Sequence, residues 1–207
     1  MRVTESLRLC AMVATVSLLG AGVAHAGAQV AHFKSNGANA SHNSFNGTTA
    51  FDLNVTVNTS GNTTSTFFAF ETQTCNSDFS VCTGIFGNGN IPNSDFTVNG
   101  ENANLNTSTA TNPNFTVFTY IQDANGFNTT PAPGGIVTIS WKKNHQTSQS
   151  FKGTSEFIAA GFSHKNIGET ASDSATATGT LLGMPLPSTQ SSFIGTSKST
   201  DTVISRQ

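Results

Sequence analysis

The sequence predicts an all-β chain, an antiparallel two-sheet β-sandwich of about ten or more short strands behind a cleaved signal peptide. Three observations predict it. Apolar residues recur with period two rather than at helical spacing. The runs between them are punctuated by Asn, Gly and Pro, which suit tight turns. The residues facing away from the apolar ones are mostly Thr, Ser and Asn, which hydrate a sheet face without charge.

Taken in chain order, Arg2 and Arg8 form a positive start, Leu9 to Val23 an apolar run, and Ala24-His25-Ala26 a small-x-small cleavage pattern. That run is shorter than the roughly 20 residues a membrane-spanning helix needs. Residues 1–26 therefore read as a signal peptide and 27–207 as one β-sandwich domain. Strands are expected near 29–35 and 38–45. Phe51, Leu53, Val55 and Val57 then alternate with Asp52, Asn54, Thr56 and Asn58, the pattern of a strand with one wet face.

Further strands are expected at 65–75, 80–86 and 102–110. Residues 115–121 are apolar on both faces, as in a central strand. Val137, Ile139 and Trp141 alternate with Thr138, Ser140 and Lys142. More strands follow at 155–164, 191–197 and 201–205. Between Thr170 and Leu181 the even positions are all Ser or Thr and the odd ones mostly Ala or Gly. A row of such small residues suits close packing against another layer. Turns are expected at Ser60-Gly61-Asn62, Gly87-Asn88-Gly89-Asn90, Asn99-Gly100, Asn125-Gly126 and the Pro131 to Gly135 segment. The 16 Phe are read as the main stock of the core.

Composition narrows the function. Charged residues make up 10% of the chain, and 9 Lys and Arg face 11 Asp and Glu. No basic surplus exists to neutralise nucleic-acid phosphates, so nucleic acid is not an expected partner. Membrane insertion is not expected either, and no cofactor is implied. Lys and Pro, which usually guard sheet edges, are scarce, so edge-strand self-association is an expected mode of contact.

Cys75 and Cys82 remain after cleavage, and in an exported chain they are expected to form a disulfide. Metal ligation has only thin support. His32 and His42 are expected on adjacent strands, where they would meet across a hairpin. Asp123 and Asn125 give a faint calcium-loop pattern that lacks the third ligand and the later Glu. The ten carboxylates of the processed chain are scattered singly along the sequence, so the facing pair a glycosidase needs would have to converge in space. No GxSxG elbow and no phosphate loop occur. No catalytic residue is assigned.

Val30-Ala31-His32-Phe33-Lys34-Ser35-Asn36-Gly37, with Ala175 to Thr180 and Ser192 to Ser199, resembles stretches of uncharacterised secreted bacterial β-rich proteins. The resemblance implies export and a β fold, with no activity attached. The expected function is a secreted, non-enzymatic structural or binding module at or outside the cell surface. Two alternatives stand beside it: a small secreted hydrolase acting on extracellular glycan or peptide, and a subunit of a surface fibre or adhesin.

Overall fold

The computed structural model describes residues 29–159, 162–187 and 191–205, and the signal peptide expected at 1–26 lies outside them. The chain is all-β. Its strands are β1 (Gln29–Asn46), β2 (Thr49–Ser60), β3 (Thr63–Cys75), β4 (Cys82–Ile91), β5 (Phe96–Asn99), β6 (Asn102–Ser108), β7 (Phe115–Asp123) and β8 (Gly126–Pro131). They continue with β9 (Ile136–Ala159), β10 (Phe162–Leu181), β11 (Met184–Pro185) and β12 (Ser191–Ser205). A 3-10 turn at Asn93–Asp95 leads into β5.

Hydrogen bonding joins all of these into one antiparallel sheet, in the order β5-β6-β9-β10-β12-β1-β2-β3-β4-β7-β8, with β11 on β10. The pairing corrects the expectation of two separate sheets. The reason lies in four long strands. β1, β9, β10 and β12 each run well past the usual five or six residues and link regions the sequence had divided. The runs read as strands at 29–35 and 38–45 are one strand, because β12 pairs with β1 from Gln29 to Asn43 without a break. The segment read as one strand over 155–164 divides between the end of β9 and the start of β10.

Along these long strands the molecule has two regions. In the body, β10 and β12 cease to pair beyond Ser174↔Phe193, and the sheet opens into two branches. One branch contributes Phe96, Leu105, Val137, Ile139 and Trp141; the other contributes Leu53, Val55, Phe68, Phe115 and Ile194. All of them belong to one buried cluster. Trp141 on β9 donates its indole N–H to the Ser41 carbonyl on β1 at 2.9 Å, three strands away in the pairing order. A flat sheet would hold those strands roughly 14 Å apart, so the sheet curls around the core. The small-residue row of β10 sits here, with Ala175 and Ala177 buried.

In the second region the far parts of β9, β10, β12 and β1 form a four-stranded arm. Ile158, Ser163, Ile204 and Val30 share one row across it, and Phe157, His164, Val203 and Ala31 the next. Successive rows face opposite sides. Phe33, Phe151, Phe157, Ile158 and Phe162 are all exposed. Both faces of the arm therefore carry uncovered apolar side chains.

The phenylalanine expectation is corrected accordingly. Phe51, Phe68, Phe70, Phe96 and Phe115 are buried, whereas nine others are exposed. The Gly87 to Asn90 stretch, expected as a turn, lies within β4. Its glycines serve close packing: a Cβ on Gly89 would collide with the Asn114 carbonyl oxygen, and one on Gly87 would sit 2.7 Å from the Phe70 ring.

Candidate functional site

The disulfide forms between Cys75 and Cys82, which are register partners at the ends of β3 and β4. It closes a hairpin whose turn is organised by Asn76 and Asp78, which accept N–H bonds from Val81 and Ser80. His32 and His42 do not meet, because both lie on β1. His32 Nδ1 is 3.1 Å from the Thr202 hydroxyl on the arm. His42 is fully buried in the body, with Nδ1 2.9 Å from the Ser192 hydroxyl. Asp123 and Asn125 shape the turn between β7 and β8, where Asp123 Oδ1 accepts the Asn125 N–H at 2.7 Å. Among the described residues no three His, Cys, Asp or Glu side chains converge as a metal site.

Two polar groups emerge that single-residue reading missed. The first lies on the outer face of the body, where β2, β3, β4 and β7 are adjacent. Asp52 and Glu71 are direct cross-strand neighbours and so share a face. Loss of hydration over the sheet, reinforced by the Glu71 carboxylate, pushes the Asp52 carboxyl above its ordinary value. Glu71 also accepts the Tyr120 hydroxyl at 2.9 Å. Burial first, and then that carboxylate, raise the phenol to about 12. Phe86 and Phe127 pack at a tilt around Tyr120, with ring centroids 6.0 and 5.1 Å away. Asp52, Glu71, Phe86, Asn88 and Phe127 line a shallow depression of about 530 Å³.

The second group marks where body becomes arm. Register slips between Asp173 and Ala175 against β9, and His145 adopts a φ of 56° there. Such a bulge bends a strand and redirects its side chains. His145 Nε2 lies 2.6 Å from Glu101, its Nδ1 3.7 Å from Asp173, and Lys143 Nζ 3.3 Å from Asp173. Ser148 donates to Asp173 and Ser174 to Asn144. Ser, His and carboxylate thus gather here, but the Ser148 proton is directed at the carboxylate rather than at the histidine. A nucleophilic triad requires the hydroxyl to hand its proton to the imidazole.

No family model, curated protein or solved structure matches this chain. The signal for both groups was present in the sequence only as isolated carboxylates and histidines. Their partners lie 19 residues away for Asp52 and Glu71, and 44 for Glu101 and His145.

Proposed function

We propose that this chain is an exported, non-enzymatic structural or binding module whose working surface is the four-stranded arm. The observation that carries this reading is the exposure of large apolar side chains on both faces of a long ribbon that the body does not cover. Contiguous exposed apolar surface on a soluble protein marks an interaction site. Within the processed domain, residues 27–207, the described residues form a sandwich-like body that anchors the arm. Export follows from the leader pattern at 1–26, and the Cys75–Cys82 bridge suits an oxidising compartment.

The test is fractionation of the producing cells, with the N-terminus of the exported protein sequenced. Export with cleavage before Gly27 is expected, and retention of the full leader in the cytoplasm overturns the proposal. The hydrolase alternative draws on the Asp52 and Glu71 pair beside an aromatic rim. Incubation with a panel of polysaccharides and peptides decides it. Turnover that disappears in Glu71→Gln would replace the module reading with the enzymatic one.

A further inference from the structure

We propose that two copies of this chain pair through the outer edge of β9, antiparallel about a two-fold axis at Thr154. The inference rests on the reading of the arm as the working surface and names its partner, a second copy. β6 covers β9 only from Ile136 to Lys142. Beyond Lys143, β9 has β10 on one side and no strand on the other among the described residues. From Gln149 to Ala159 that edge contains one Lys and no Pro, and its register with β10 is unbroken. Natural sheets usually blunt so long an edge.

The sequence along the edge is complementary to itself. Phe151-Lys152-Gly153-Thr154-Ser155-Glu156-Phe157 reads aromatic, positive, small, Thr, small, negative, aromatic. Antiparallel pairing about Thr154 sets each Lys152 opposite the other copy's Glu156, and each Phe151 opposite the other copy's Phe157. Directly opposed residues share a face and interact. Lys152 and Glu156 lie on one face of the arm, Phe151 and Phe157 on the other.

The match extends across the arm. Glu169 lies opposite Lys152 on β10, and Lys198 lies opposite Glu169 on β12. Lys165 lies opposite Glu156. The paired arms therefore carry a row of five charges in strict alternation: Lys198, Glu169, Lys152, then Glu156 and Lys165 of the second copy. Register is well determined. A slip of two residues removes both ionic pairs, and a slip of four places Lys152 or Glu156 against its own copy. The β1 edge is a poorer partner, because only Gln29 to Lys34 are free of β2 and none of them is acidic.

The experiment is sedimentation equilibrium on the full chain at physiological salt, with Lys152→Glu, Glu156→Lys and the doubly exchanged protein. A dimer is expected. Each single reversal weakens it by about tenfold or more, and the double exchange recovers part of that loss but not all, because the exchanged charges then face Glu169 and Lys165 within their own copy. Thr154→Cys is expected to form a disulfide-linked dimer on oxidation, and Ser150→Cys is not. A protein that stays monomeric without a Thr154→Cys cross-link, a dimer indifferent to the single reversals, or open-ended growth overturns the proposal. Export and lack of turnover would survive that failure, whereas catalytic turnover would end the module reading and leave the dimer standing.

Discussion

His42 shows what one buried polar side chain does to the pH response of the fold. It sits in the core with its ring edge-on to Phe51 at 5.4 Å, and Nδ1 bonds to Ser192. Its Nε2 meets no partner at full hydrogen-bond geometry among the described residues, and the Pro187 backbone, which favours the protonated ring, offsets less than burial takes away. Burial therefore lowers the pKa from 6.5. The unfolded chain binds the proton more readily, so this contribution to stability is intact above pH 6.5 and falls away as the pH drops below it. Melting temperature is expected to decline from pH 7.5 to pH 5, and His42→Gln to flatten that slope. Tyr120 behaves oppositely in sign. Its folded pKa near 12 exceeds the usual value of 10, so stability it contributes below pH 10 is lost as the pH rises from there to 12. Because Tyr120 is the single tyrosine, ultraviolet absorbance follows it alone. No phenolate signal is expected near pH 10 until the chain unfolds. In Glu71→Gln the phenol should ionise at lower pH, while Tyr120→Phe should cost only about 0.5 to 1.5 kcal/mol, since the exposed Glu71 regains water.

Elements show how far sequence alone reaches. Period-two alternation located β2 and the body half of β9, because one face of each is buried and the other is wet, whereas β7 was read as apolar on both faces and has Thr116, Thr119 and Ile121 exposed. Strands of the arm were expected at 29–35, 155–164 and 201–205, but alternation could not show that both of its faces are exposed. The repeated Asn-Ser-Asp-Phe makes the same point. At 76–79 it turns a hairpin, leaving Phe79 exposed at a φ of 57°. At 93–96 it closes a 3-10 turn and delivers Phe96 into the core. Identical residues diverge because the second copy is held from outside, by Asn93 donating to the Thr64 carbonyl and accepting from the Thr66 hydroxyl. The disulfide was legible, since export and an even cysteine count suffice to expect it. Its small loop contributes about 2 to 3 kcal/mol, so Cys75→Ser with Cys82→Ser should lower the denaturation free energy by that amount without altering the β circular dichroism. Bulge geometry was not legible, because no local signal makes His145 left-handed. A β-branched residue is poorly suited there, so His145→Val is expected to lose about 1 to 3 kcal/mol, and His145→Asn less, both measured by urea unfolding.

The whole molecule combines two kinds of sheet stability in one hydrogen-bonded array. In the body, branches close over a shared core, so opening an amide there exposes Trp141, Phe68 and their neighbours to water. In the arm, the same strands hold only their lateral hydrogen bonds and surface side chains, because no layer among the described residues covers either face. Local opening is cheapest where few apolar contacts are lost. Hydrogen exchange should therefore divide β9 within a single strand. Amides from Val137 to Trp141 should exchange only near global unfolding, while those from Gln149 to Ala159 exchange much sooner in dilute protein. Concentration then separates intrinsic from acquired order: if β9 finds a second copy, protection from Gln149 to Ala159 rises with protein concentration while Val137 to Trp141 stays constant. Uniform protection along β9 at every concentration would mean that the arm is as firmly held as the body. The division at His145 and Asp173 would then be a bend in one rigid sheet rather than a boundary between two cooperative regions.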